Sequence, residues 1–383
     1  MTTDSTASPG IALPNRLFEG KATLGERLQG LHRQLIDTVS CVDRIACAIY
    51  DQPEDLLKTF INSTRSGEPI TAYQFKLSDS VSLSHLAKSG EFRVIADIPA
   101  SLAPNTAHSA WVIKQGYQSS FTVPMYDNGA FMGFIFFDSL QQDAFTSTVQ
   151  RDLGLYCTLI NMAISNELAS VRAVVASAHV ARDFTDLRDF ETGAHLERMA
   201  RYSRVIGRAI APVYGLSDEF VEHLYLYAPL HDIGKIGIPD KVLLKPGKLD
   251  PEERKLMETH VEKGREVLKK ILGDFGIDHL PDSLVMMNIV GCHHEFMDGS
   301  GYPAGLKGDA VPVEARIVTV ADIFDALTSK RPYKAAWTVE EALTELDRMT
   351  AAGKLDGNCV AAIKLHAAEM GEIGRRYQDI HQE

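Results

Sequence analysis

Residues 155–191, LYCTLINMAISNELASVRAVVASAHVARDFTDLRDFE, run for 37 positions without a glycine or a proline. Ile160, Ile164, Leu168, Val171 and Val175 recur within them at steps of three and four. That spacing predicts one long helix, about 55 Å at roughly 1.5 Å per residue, with an apolar stripe from which Asn166, Glu167 and Arg172 are excluded. A stripe on a helix too long to be covered by its own domains asks for a partner, so a parallel homodimer paired along this seam is expected. The repeated step of four at 160, 164 and 168 departs from a strict heptad and predicts local unwinding of the coil.

The sequence changes character on the two sides of this helix. Upstream, Leu24, Leu28, Leu31, Leu35, Ile36 and Val39 predict an amphipathic helix. Short β-branched and aromatic runs at 44–50, 57–61, 70–77 and 92–98 predict strands, and the stretches 81–88 and 108–115 predict helices between them. Residues 119–126 and 131–137 flank Asp127-Asn128-Gly129, a hairpin signal because Asn and Gly tolerate positive φ. This half is α+β, preceded by a flexible lead-in over 1–23 rich in Thr, Ser and Pro. Through GAFMGFIFFDS (129–139) and DAFTSTVQRDL (143–153) it resembles a GAF domain. The resemblance implies an antiparallel sheet with flanking helices over 24–152, and an unknown small-molecule or protein input; a ligand-free dimerisation domain is the alternative, since no convergent polar cluster is evident. His85 and His108 stand alone and are expected at the surface. The helix, 153–190, then serves as linker.

Downstream, 199–213, 219–230, 251–272, 284–292, 313–329 and 339–349 all carry helical periodicity, so residues 191–383 read as all-α. Hard-ligand side chains cluster there. Glu191 and His195 are four apart on one helix face, His231-Asp232 and His293-His294 are adjacent pairs, and His260 sits in a periodic helix. Asp322 lies in the apolar run ARIVTVADIFDAL (315–327), where an unpaired carboxylate is costly to bury. Any one of these is more often an ordinary hydrogen-bonded residue than a ligand. Together they leave several uncompensated charges unless a cation collects them, and imidazole with carboxylate but no thiolate suits Fe, Mn, Zn or Mg.

The strings HDIGKIGIP (231–239), LLKPGKL (243–249), HHEFMDGSGYPAGL (293–306) and VADIFDALTSKRPYK (320–334) resemble the HD-GYP proteins, metal-dependent cyclic di-GMP phosphodiesterases of the HD phosphohydrolase superfamily. The resemblance covers about 185–370 and includes the triplet Gly301-Tyr302-Pro303. It implies metal ligation by His231, Asp232, His260, His293, His294 and Asp322. It also implies that Glu191 and His195, in ETGAHLER (191–198), add a third metal to the usual pair, with iron first and manganese second as the metals. Asp232 and Lys235 are the expected catalytic pair: paired metals activate water and polarise a phosphodiester, and Lys235 offsets charge on the departing 3′ oxygen. A solvated helix lysine is the plainer alternative. Arg331 and Lys334 provide a fork and a point charge for the second phosphate, a role the resemblance supports. Tyr302 either stacks on a base or packs.

The implied reaction opens cyclic di-GMP to pGpG and onward to GMP. A non-hydrolysing cyclic di-GMP receptor and an HD phosphohydrolase acting on another nucleotide are the rivals. With 39 Lys and Arg against 51 Asp and Glu, a net charge of −12, a surface tracking a nucleic-acid polymer is excluded and phosphate must be met locally. Five scattered cysteines without CxxC spacing argue for reduced thiols. No basic leader and no apolar run of spanning length is evident, so a cytoplasmic protein without a membrane segment is expected.

Overall fold

The computed structural model describes residues 22–186, 193–276, 281–330 and 336–378. They divide into two compact units, one within 22–164 and one within 165–378, with residues 71–74 counted in the second.

The first unit contains α1 (Leu24–Thr38), β1 (Arg44–Asp51), β2 (Leu56–Thr64), β3 (Gln74–Lys76), α2 (Val81–Ser89), β4 (Arg93–Ile95), α3 (Ile98–Ser101), α4 (Ala107–Lys114), β5 (Ser119–Asp127) and β6 (Ala130–Ser139). α1 starts where it does because Thr23 and Glu26 form a reciprocal capping box. The strands form one sheet in the order β3-β2-β1-β6-β5-β4. The β5–β6 hairpin turns through Asn128 and Gly129, both at positive φ, as the Asn-Gly pair predicts. The strands expected over 70–77 and 92–98 shrink to three residues each. Both lie at sheet edges, where a strand has a neighbour on one side only.

Ile45, Cys47, Phe121, Ile135 and Phe137 are buried on one face of the sheet. The other face holds a polar cluster that the sequence did not reveal. The β1–β6 register sets Arg44 opposite Asp138, and Arg44 Nη1 donates to Asp138 Oδ2 at 2.5 Å with both side chains buried. The guanidinium lies over Trp111 of α4, 4.7 Å from the ring centroid. His108 is not a surface residue: its ring lies against Trp111 and Phe136, and burial pushes its pKa down to about 4.

α5 (Ser147–Asp186) is the long helix the sequence predicts, but it does not present the expected seam. Ile160, Ile164, Leu168 and Val171 are at most 5% exposed, and Val175 is half-buried. Val171 and Val174 belong to the core of the second unit. In the other half, Asn161 accepts from Tyr126 N and donates to Tyr126 O, tying the helix to β5. The unit boundary falls at Ile164, inside the helix, so the stripe is consumed by the chain's own cores. By length and composition Ser147–Ser177 of α5 is apolar enough to cross a membrane, at mean hydropathy 1.2, but Ile160, Ile164, Leu168 and Val171, which give it that character, are buried in the chain's own cores.

The second unit is helical: α6 (Gly193–Tyr214), α7 (Asp218–Tyr227), α8 (Asp240–Leu243), α9 (Pro251–Glu258), α10 (His260–Asp274), α11 (Pro281–Cys292), α12 (Val313–Thr328), α13 (Val339–Ala351), α14 (Gly357–Leu365) and α15 (Ala367–Arg376). Its core is built from Met199, Tyr202 and Ile206 of α6, Ile289 of α11, Ile317 and Phe324 of α12, and Leu346 of α13. The single helix expected over 251–272 breaks at Thr259, which starts a new helix at His260.

Candidate metal centre

The candidate ligands come from the ends and first turns of helices rather than from one long face. His195 lies in the first turn of α6, His260 opens α10, and His293-His294 follow α11. His231 and Asp232 occupy the turn after a short 3₁₀ segment, Ala228–Leu230, that prolongs α7. Asp322 projects from the middle of α12. Ligand atoms of Asp232, His260, His293 and His294 lie within 4.8 Å of one another, and those of His195, His231 and Asp322 form a second such group.

One nitrogen of each of four imidazoles is already committed. Nδ1–H donates to Ala228 O in His231 (2.9 Å), to Met257 O in His260 (2.8 Å) and to Ile289 O in His293 (3.1 Å). In His195 it donates to Asp325 Oδ2 (2.8 Å). These bonds fix the tautomer and leave the Nε2 lone pair as the ligating atom. Nε2 of His260 and His293 are only 3.4 Å apart, and Asp232 Oδ1 is 3.1 Å from the first and 3.6 Å from the second. Two lone pairs and a carboxylate oxygen at such range repel one another unless a cation lies among them. Burial pushes His293 down, and burial with the neighbouring His293 pushes His294 down to about 2. Burial opposes ionisation of Asp232, but Lys235 and His231 hold its carboxyl well below the usual range. Neutral imidazoles beside an ionised carboxylate are the protonation states a divalent cation requires, so the residues fit a metal.

Lys235 lies in the 3₁₀ segment Ile233–Gly237 rather than on an α-helix, and its Nζ is 2.9 Å from Asp232 Oδ2. Tyr302 stacks on His294 with ring centroids 4.7 Å apart and planes 31° apart, and burial pushes its hydroxyl pKa up. Its backbone N donates to His294 O at 3.1 Å. Glu191, Arg331 and Lys334 lie outside the described residues.

Several residues that build the site were not singled out in the sequence. Asp325, one turn beyond Asp322, accepts from His195 Nδ1 and Arg198 Nη2 (3.0 Å) at Oδ2 and from Arg198 Nε (2.5 Å) at Oδ1. Burial opposes its ionisation, yet hydrogen bonds from His195 and Arg198 bring its pKa down to about 2. A Cβ on Gly234 would sit 1.8 Å from His260 O and 2.4 Å from Gly264 N, so this glycine lets the His231-Asp232 turn press against α10. Glu295, 2% exposed, accepts from Ala304 N at 2.7 Å and Leu306 N at 2.9 Å, folding the Gly-rich loop back over the histidine pair. The signals were present in the motifs: an acidic residue three beyond Asp322, glycines beside ligands, and a glutamate directly after His294.

Residues 181–359 match the HD domain family. The chain is 45% identical over 189 residues to the cyclic di-GMP phosphodiesterase response regulator RpfG of Xanthomonas campestris pv. campestris, covering 49% of this chain and 47% of that protein. It is 42% identical to a cyclic di-GMP phosphodiesterase of Thermotoga maritima, covering 51% and 50%. It is 39% identical to 3'3'-cGAMP-specific phosphodiesterase 2 of Vibrio cholerae, covering 51% and 34%. The chain thus spans half or less of the length of these curated relatives. A GAF domain of an Acinetobacter phosphoenolpyruvate-protein phosphotransferase is similar at 15% identity and a TM-score of 0.31, covering 41% of this chain and 92% of that one. The C-terminal region carries an HD domain, and the N-terminal sheet has GAF-like fold neighbours.

Proposed function

We propose that this chain is a metal-dependent phosphodiesterase that hydrolyses cyclic di-GMP to pGpG and onward to GMP, under control of its N-terminal unit. The observation that carries the proposal is the gathering of seven imidazole and carboxylate ligands into two adjoining groups, in a domain whose relatives are named for cleaving cyclic dinucleotides. The expected metals are iron first and manganese second, in a pair or, with Glu191 and His195 as further ligands, a trinuclear centre. Bound there, they supply Lewis-acid polarisation of the phosphodiester and a water of lowered pKa.

The chain's own residues supply the rest. Asp232 presents one oxygen to His260 and His293 and the other to His231 and Lys235, joining both ligand groups to the lysine. Lys235 thereby holds a positive charge at the edge of the cluster, where it offsets charge growing on the leaving 3′ oxygen. Arg331 and Lys334, following α12, grip the second phosphate. Tyr302 keeps His294 in place by stacking, with base contact as its further role.

The input, a small molecule or a protein, is assigned to the first unit. Homodimerisation is assigned to α5, on a different side from the buried stripe: Leu155, Met162 and Val180 are 65%, 48% and 53% exposed. Leu155, Met162, Ala169 and Ala176 repeat every seven residues, which supplies one of the two positions per heptad that a paired seam uses. The compartment is the cytoplasm, with neither a membrane nor a nucleic-acid polymer as partner.

Relatives named for 3'3'-cGAMP favour a second reading, in which one guanine is replaced by adenine. Incubating metal-loaded full-length chain with each dinucleotide and chromatographing the products separates the possibilities. Faster conversion of cyclic di-GMP to pGpG supports the proposal, and faster opening of 3'3'-cGAMP reassigns the substrate. Tight binding of either without cleavage makes the chain a receptor.

A further inference from the structure

The sheet face that carries the Arg44–Asp138 pair gathers polar side chains from five strands. In register, Thr64, Arg44, Asp138 and Ser120 form one row across β2, β1, β6 and β5, while Phe136, Thr122 and Arg93 form the next row across β6, β5 and β4. Residues directly opposite in an antiparallel sheet share a face, as do residues two apart along a strand. α4 covers this face with Trp111, beneath the Arg44 guanidinium, and with His108, whose ring is 6.0 Å from that of Phe136. Tyr117, between α4 and β5, places its ring 5.9 Å from that of Trp111.

Three buried donors of this cluster make no hydrogen bond among the described residues: Arg44 Nε, Arg93 Nε and the Tyr117 hydroxyl. Tyr117 is 1% exposed and Arg44 2%, so bulk water does not satisfy them. A buried donor without a partner is costly, and three in one place call for an acceptor from outside the chain. The charges do not balance either. Asp138 is committed to Arg44, whereas among the described residues Arg93 bonds only hydroxyls, Ser82 Oγ at 2.9 Å and Thr122 Oγ1 at 3.3 Å. His108, in the field of Asp138, Arg44 and Arg93, is kept neutral by burial. Two guanidiniums and one carboxylate leave a single positive charge.

We propose that this cluster is a ligand site for a small aromatic monocarboxylate with a second hydrogen-bond acceptor: the carboxylate at Arg93, the ring beside His108 and Trp111, and the second acceptor at Tyr117 and Arg44 Nε. One negative charge cancels the excess, where a phosphate dianion would overshoot it. The backbones of β4 and β1 are three strand spacings apart, about 14 Å. Arg93 leans over β5 to Thr122 and Arg44 over β6 to Asp138, which narrows that gap to the reach of one compact ligand. The three half-buried aromatic rings, Trp111, His108 and Phe136, suit a flat body between the two ends. The proposal rests on the assignment of an input to the first unit and is independent of which dinucleotide the second unit cleaves.

Calorimetric titration of the metal-loaded full-length chain with 4-hydroxybenzoate, benzoate, benzyl alcohol and inorganic phosphate tests the site. Three variants accompany the parent: Arg93→Gln, Tyr117→Phe, and the double variant His231→Ala with Asp232→Ala. 4-Hydroxybenzoate is expected to bind tightest, and equally well to the parent and the double variant. Arg93→Gln should weaken both carboxylates at least about tenfold, as loss of a buried charged partner does. Tyr117→Phe should weaken 4-hydroxybenzoate at least about fivefold, the worth of one hydrogen bond, and leave benzoate unchanged. That variant should also melt no lower than the parent, because the hydroxyl it removes has no partner among the described residues. Absence of binding by the parent at millimolar ligand would overturn the proposal. So would benzyl alcohol or phosphate binding as tightly as 4-hydroxybenzoate, or binding lost in the double variant but untouched by Arg93→Gln and Tyr117→Phe. The rate of cyclic di-GMP hydrolysis with and without 4-hydroxybenzoate separates the site from its control of the enzyme: binding at an unchanged rate keeps the site and removes the control.

Discussion

Asp325 illustrates how much of a metal site lies behind its ligands. It touches no expected metal position, yet it fixes which nitrogen of His195 carries the proton, and it compensates the buried charge of Arg198. Asp325→Asn keeps the shape and removes the charge, so metal affinity is expected to fall by about 10- to 100-fold, as loss of such an orienting partner commonly does. Titration of the metal-free variant with Mn²⁺ checks this; an affinity equal to the parent's would leave Asp325 only an ion-pair partner. At Gly234 the argument is steric. A methyl group aimed at His260 O from 1.8 Å must push the His231-Asp232 turn away from α10, and overpacking of this kind costs about 1–3 kcal/mol. Urea denaturation of Gly234→Ala should show that loss, and a variant as stable as the parent would mean the turn yields freely. All seven candidate ligands that the structure groups could be named from the sequence, because they stand inside quoted motifs or at helical spacing. Their division into two groups was not, since it depends on Nδ1 bonds to carbonyls that only the helix ends place.

At the scale of elements, α5 carries the main lesson. Its length and its apolar period were both readable in the sequence. A stripe at helical spacing, however, states only that something covers it, and here Val171 and Val174 are covered by the second unit's own core. The polar face was the better guide to the helix's first half. Asn161, with its amide bonded twice to Tyr126 backbone at 3.0 Å, pins α5 to the sheet. Asn161→Ala leaves a strand N–H and C=O without these partners and should destabilise the first unit by about 1–3 kcal/mol. Thermal unfolding that matches the parent within error would count against that anchoring role. The hairpin was predictable because Asn128-Gly129 encodes its turn locally. The Arg44–Asp138 pair was not, because 94 residues separate two side chains that only the β1–β6 register makes neighbours.

Over the whole molecule, charge and pH separate the two units. His108 has a native pKa of about 4 against an ordinary 6.5, principally through burial. Between those values the unfolded chain takes up a proton that the folded unit refuses. Stability is therefore full above pH 6.5, declines as pH falls toward 4, and loses nothing further from this group below that. His108→Leu should flatten the decline of the first unit's melting temperature across this window; an unchanged slope would show that other groups set it. In the second unit burial holds His293 and His294 neutral, while Lys235 and His231 keep the neighbouring Asp232 ionised. Nδ1 bonds to backbone carbonyls and the Lys235 charge beside Asp232 hold this arrangement together.

The most direct test is product release from cyclic di-GMP by the metal-loaded full-length chain and by its His231→Ala, Asp232→Ala double variant, chromatographed side by side at matched folding. Linear pGpG accumulating with the parent and falling to background with the double variant, alongside lower bound metal, is the predicted result. Equal turnover by the two proteins would contradict a metal-dependent hydrolase built on this cluster.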